Sequence, residues 1–208
     1  MTGSALLASG NLGHVLVIGA ETLSRVVDPK DRGTCILFGD GAAGVVLAPS
    51  PDDGPGLLAW DLGCDGSASG LLGIPAGGSR RPATPATIAA GEQFIKMQGQ
   101  EVFRRAVRAV VDSVKAALAQ VGMTGDDIDW FVPHQANARI IEAAASRLGI
   151  SPERTIVNID RFGNTSAASI PLAIERLLET GQARSGDLAL LIGFGAGLVY
   201  AAQVVRIP

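Results

Sequence analysis

Two polar residues stand where their chemistry would be useful. His134 follows the apolar run IDWFVP, and Asn164 lies in the tight segment RFGNTS. An imidazole donates one N–H to a substrate carbonyl when its other nitrogen is deprotonated or held by the backbone. A carboxamide is a neutral donor that no pH change removes. Each follows a strand-like run and precedes a helical one, so together they form a plausible donor pair for an enolate or oxyanion. On spacing alone Asn164 serves equally well as a helix N-cap, and His134 as a loop residue. The GFGAG stretch at 193–197 adds backbone N–H groups in a turn suited to an anion. No helix follows it and the third glycine position is absent, so it is not a nucleotide fingerprint, and a tight hairpin explains it as well. GDGAAG at 39–44 lacks a P-loop lysine and reads as a turn.

The remaining reactive side chains point elsewhere. Cys35 lies in an apolar strand pattern and is expected to be a buried, inert thiol. Cys64 stands between Asp61 and Asp65, where negative charge disfavours a thiolate. Two cysteines without a CxxC pair and two distant histidines, His14 and His134, offer no structural metal site. Arg104, Arg105, Arg108 and Arg139 form a small cationic set, readable as a solvated helix face or as a docking point for an acidic or phosphorylated partner.

These groups must be positioned by the surrounding elements. Val/Ile/Leu-rich runs alternate with helical patterns, predicting strands near 14–19, 34–38, 43–48, 129–132, 155–159, 187–193 and 198–206. A further strand candidate spans 57–63, and a tight turn is expected at 39–41. Apolar spacing predicts helices near 99–121, 135–148 and 166–180, with Gly122 and Gly149 as stops. That order predicts an α/β protein, one mixed sheet with helices on both faces, whose strand-end loops at 133–137, 161–165 and 193–197 converge on one edge. Residues 51–91, rich in Pro, Gly and Ser, separate a first unit (1–50) from a third (92–208).

Composition sets the outer bounds. The 208 residues carry 17 basic and 20 acidic side chains, net −3, with no basic tract, which argues against nucleic-acid binding. With 47% hydrophobic residues the chain is not disordered, and aromatics at 4% give little for base stacking. No apolar run approaches the roughly 20 residues of a spanning helix, so no membrane association is expected. The opening MTGSALLASG has no signal-peptide pattern and reads as cytoplasmic.

Together PHQANARI (133–140), DRFGNTSAAS (160–169), GFGAG (193–197) and DRGTCILFGDGAAGVVL (31–47) resemble beta-ketoacyl-acyl-carrier-protein synthase III of type II fatty-acid synthesis. The similarity runs from about Leu6 to the C-terminus. It implies a thiolase-like αβαβα fold, a homodimer in the complete enzyme and a Cys-His-Asn triad whose His and Asn match His134 and Asn164. It further implies an oxyanion-hole N–H from Ala196, a coenzyme A tunnel lined by Arg32, Gly99 and Asn137, and carrier-protein docking at Arg104 and Arg139. The substrates would be an acyl-coenzyme A and malonyl-acyl carrier protein, with no separate cofactor. The family's nucleophile lies in an Ala-Cys-Ala-Gly motif that this sequence does not contain. The chain therefore reads as a C-terminal portion whose N-terminal half is largely absent, and alone it is expected to be inactive in condensation. Two other readings stay open: a non-catalytic partner subunit, and a secondary-metabolism ketosynthase of the same type.

Overall fold

The computed structural model describes residues 1–51 and 54–208; of the connecting segment, residues 52 and 53 lie outside the described residues. Among the described residues six α-helices and eight strands follow in chain order, besides short 3-10 turns. They are α1 (Thr2–Ala8), β1 (Val15–Thr22), β2 (Asp40–Leu47), β3 (Gly56–Cys64), β4 (Leu72–Gly73), α2 (Pro85–Ala89), β5 (Lys96–Met97) and α3 (Gly99–Gln120). After these come β6 (Trp130–Pro133), α4 (Ala138–Leu148), α5 (Ile159–Phe162), α6 (Ser169–Glu179), β7 (Leu188–Gly195) and β8 (Val199–Arg206).

The protein is α/β. Its principal sheet has the order β3-β8-β7-β6, with β6 parallel to β7 and the other pairs antiparallel. Side-chain alternation splits β7 between two cores. Leu190 and Ile192 join Phe131, Ala202 and Val204 beneath α3 and α4, where Val110, Val114, Ala117 and Ala144 form the matching helical stripe. Ala189 and Leu191 face the other way, with Val132 and Val205, onto Ala173 and Leu177 of α6. Helices thus cover both faces of this sheet, as the apolar runs predict.

The expectation of one continuous sheet does not hold. β1 and β2 form a separate antiparallel pair, and β4 with β5 a third, short one. α6 lies between the principal sheet and the β1–β2 pair, packing on β6 and on β2. The approach is close at Gly19, where an added Cβ would stand 2.5 Å from the Ala167 carbonyl carbon. On the opposite face of the pair Leu16, Ile18 and Val46 are exposed.

Two predicted strands are absent. Residues 34–38 form successive turns touching a strand partner only through the Phe38–Asn164 bridge, so Cys35 is half-buried in a turn, not buried in a strand. The turn expected at 39–41 is the entry into β2 instead. Residues 155–159 contribute a single bridge, Thr155 to Phe131, before α5 begins. Both runs carry β-branched and apolar residues, yet the N–H groups of Thr34, Cys35 and Leu37 go to local turn carbonyls, and those of Ile156 and Asn158 to a one-residue bridge and to a side chain described below. β3, from the Gly/Pro-rich connecting segment, supplies an edge strand of the principal sheet.

Candidate active site

His134 is the first residue beyond β6, and its N–H donates to the Ile192 carbonyl (2.7 Å), continuing the parallel ladder with β7. The next residue, Gln135, is buried and works as a clamp. Its amide donates to the Pro133 and Ile156 carbonyls (2.8 and 3.1 Å) and accepts from the Asn158 N–H (2.9 Å). This side chain holds residues 156–158 beside the end of β6, in place of a regular strand ladder. The His134 ring meets the Phe194 ring edge-on at 5.6 Å between centroids, and its Nδ1 is 2.6 Å from Ser169 Oγ at the start of α6. Burial pushes the imidazole pKa down from 6.5 to about 4, so the ring is neutral at physiological pH.

Asn164 is 9% exposed and is held by its backbone. Its N–H donates to the Leu37 carbonyl (2.8 Å), and its own carbonyl accepts from the Gly39 N–H (2.9 Å). Its side-chain Oδ1 accepts from the Ser166 N–H (2.9 Å), which turns the Nδ2 donors away from that contact. Ser166 adopts φ +48°, a left-handed conformation unusual for a residue with a Cβ. The cap-like reading of Asn164 and the donor reading are therefore compatible: the oxygen is used locally, and among the described residues the nitrogen has no hydrogen-bond partner.

Both residues line one cavity of about 1240 Å³. Ala196, on the short 3-10 turn between β7 and β8, lines it as well. So do Gly99 at the start of α3, Asn137, Arg104 and Arg139. Arg32 is the exception among the expected residues. The Asp31 carboxylate accepts from Gly33 N–H and Thr34 Oγ1, winding the loop so that Gly33 lines the cavity while Arg32 is exposed to solvent. Asn137 also N-caps α4, its Oδ1 accepting from Arg139 N–H (2.9 Å), a structural role its spacing already permits.

The cationic set is smaller than the sequence suggests. Arg105 is committed to Glu101 and Asp65 (2.7 Å each), and this hydrogen bond is the chief reason the Glu101 carboxyl titrates below the ordinary range. Arg104 also pairs with Glu101, though its side chain is 74% exposed. Among the described residues no aspartate or glutamate lines the cavity, and neither Cys35 nor Cys64 does. Ser169 and Gln135 are the residues that sequence reasoning missed. Both lie inside the quoted motifs, but nothing in their spacing reveals a contact across 35 positions.

Two family descriptions match the chain: 3-oxoacyl-[acyl-carrier-protein] synthase III over residues 1–66, and the C-terminal region of the same enzyme over residues 118–207. The chain belongs to the 3-oxoacyl-[acyl-carrier-protein] synthase III family. It is 48% identical over 205 residues to a beta-ketoacyl-[acyl-carrier-protein] synthase III of Natranaerobius thermophilus, covering 98% of this chain and 62% of that protein. A relative of the same name from Symbiobacterium thermophilum is 48% identical over 200 residues, 96% of this chain and 60% of its own length. Among solved structures, beta-ketoacyl-[acyl-carrier-protein] synthase III from Thermus thermophilus superposes with a TM-score of 0.89 at 41% identity, covering all of this chain and 63% of that one. The priming beta-ketosynthase of the R1128 polyketide pathway superposes at 0.87 with 38% identity, covering all of this chain and 61% of that one. The chain thus spans about three fifths of the length of the relatives it matches.

Proposed function

We propose that this chain supplies the decarboxylation centre and the carrier-docking surface of a cytoplasmic, homodimeric beta-ketoacyl-[acyl-carrier-protein] synthase III. That enzyme would condense a short acyl-coenzyme A primer with malonyl-acyl carrier protein to start fatty-acid synthesis, with the coenzyme A thioester as substrate and no further cofactor. The observation that carries the reading is the meeting of His134 and Asn164 on one cavity, the first kept neutral by burial and the second with its oxygen already engaged. When malonyl thioester loses carbon dioxide, the C–C bonding pair passes into the thioester carbonyl and its oxygen becomes negative. Two neutral N–H donors at that oxygen stabilise the enolate without supplying or removing a proton. The carbanion then attacks the acyl thioester on a cysteine, expelling the thiolate, and Ala196 N–H is the donor assigned to that second oxyanion. Neither cysteine of this chain lines the cavity, which supports placing the acyl-accepting thiol on a companion chain and expecting this chain alone to be inactive in condensation.

The test separates the half-reactions in an enzyme completed by a companion chain that carries the cysteine. His134→Ala and Asn164→Ala should each lower decarboxylation of malonyl thioester by roughly 10²–10³-fold, as expected for an oxyanion donor, while acyl transfer from coenzyme A stays within a few-fold. Equal loss in both half-reactions would reduce His134 to a structural residue and end this reading. A second reading, priming of polyketide synthesis, is favoured by the comparable likeness to the R1128 ketosynthase. It uses the same donors and differs in the acyl group accepted.

Arg104 and Arg139, exposed and lining the cavity, suit an acidic carrier protein delivering its phosphopantetheine arm. Reversing both charges should raise KM for the malonyl-carrier substrate by roughly three- to tenfold at low salt, since exposed pairs are individually weak and screened. Coenzyme A substrates should be unaffected; a matching rise in their KM would remove the docking role.

A further inference from the structure

The contact between His134 and Ser169 has a direction, and that direction decides what the imidazole offers the cavity. Ser169 is 1% exposed, so its hydroxyl is cut off from solvent and its proton must be used inside the protein. The Gln135 N–H approaches Ser169 Oγ at 3.4 Å and can only donate, so it occupies one of the oxygen's lone pairs. The acceptor found for the hydroxyl proton is His134 Nδ1, 2.6 Å away. We propose that Ser169 is a positioning residue that donates to Nδ1 and thereby fixes His134 in the tautomer with its proton on Nε2.

This assignment rests on the donor role given to His134 above and deepens it. A carboxylate at the position of Ser169 would accept from Nδ1, stabilise imidazolium and leave Nε2 as a base. A hydroxyl donating to Nδ1 does the opposite: it occupies the lone pair that would otherwise take a proton and leaves Nε2–H as the free donor. The surroundings agree, because no carboxylate lines the cavity among the described residues and burial alone already disfavours the cation. Asn164 is set by the same short stretch of chain. Ser166 N–H takes its oxygen as Ser169 takes the His134 nitrogen, so residues 166–169 orient both side chains as donors.

The tautomer can be read without any turnover. The full chain labelled with ¹⁵N-histidine contains two rings, His14, which is exposed, and His134, which a His14→Gln variant distinguishes. Long-range ¹H–¹⁵N correlation at pH 7 should show His134 with a protonated Nε2 and an unprotonated Nδ1. Ser169→Ala should shift it to a mixture of tautomers, and Ser169→Thr, which keeps the hydroxyl, should restore the single form. A wild-type spectrum showing Nδ1–H would overturn the proposal even if neither variant folds, and so would an unchanged tautomer in folded Ser169→Ala. The functional reading fails separately. If His134→Ala leaves decarboxylation intact while the wild-type ring is Nε2–H, Ser169 still sets the tautomer but the proton serves another purpose.

Discussion

Incubating the purified 208-residue chain with radiolabelled acetyl-coenzyme A should leave both cysteines unlabelled. A thiol accepts an acyl group at a useful rate only as a thiolate, which needs a helix N-terminus or a nearby cation, and it must be reachable by the bound thioester. Cys35 sits half-buried among the turns of residues 34–38, and Cys64 is exposed at the end of β3. Beside Cys64 in sequence is Asp65, whose carboxylate already holds Ser67 and draws Arg105 into an ion pair. That pairs the Arg105 guanidinium with carboxylates, so it is not a free cation. Neither sulfur lines the cavity with His134 and Asn164. Stoichiometric, hydroxylamine-labile acyl label on either cysteine would show that the chain contains its own nucleophile, and the assignment of that thiol to a companion would fall.

A single methyl group at Gly39 should be nearly as damaging to the site as removal of a donor. A Cβ there would stand 2.0 Å from the Phe162 carbonyl oxygen, a backbone atom that no rotamer change can move aside. The same residue's N–H donates to the Asn164 carbonyl, so the displaced segment carries the candidate donor with it. Gly39→Ala is expected to cost about 3 kcal/mol, at the upper end for overpacking, and to lower Tm by roughly 6–12 °C. Decarboxylation in the completed enzyme should fall further than stability alone explains, because Asn164 is moved. Gly70→Ala is the control: nothing lies within 4 Å of its Cβ and its φ is ordinary. Calorimetric melting of both variants decides the matter, and equal Tm values would show that the 37–39 crossing yields easily.

Much of this was legible from residue order. The helical stripe from Val102 to Leu118 and the stop at Gly122 locate α3 within a residue, because 3.6-residue spacing over 22 residues has few alternatives. The pairing of PHQAN with GNTSAAS points to both candidate donors, which the fold brings to one cavity. What escaped were properties of long-range pairing. TCILF and RTIVNI are richer in β-branched residues than β6 and β7, and composition cannot say whether a neighbouring strand runs alongside. Nor can two runs of Val, Ile and Leu disclose that they belong to different sheets, since both are apolar on each face when a helix lies between them. Arg105 has one partner that i,i+4 spacing permits, Glu101, and a second, Asp65, that lies 40 positions away and that spacing does not disclose. Local pattern finds elements; the partners that define a site lie at separations it does not sample.

The Leu37–Asn164–Gly39 crossing has a bearing on how such an enzyme can be divided. The region matched at residues 1–66 provides both the backbone cradle that holds Asn164 and the edge strand β3 of the sheet that carries His134. A cut in the connecting segment would therefore separate Asn164 from its anchor, and a cut after residue 64 would also strip β8 of a neighbour. The two matched regions are not exchangeable cassettes. Recombination between relatives that swaps one region while keeping the other must preserve the fit of the 37–39 backbone to the RFGN segment, or the candidate donor pair is misaligned in a recombinant that still contains every residue of it.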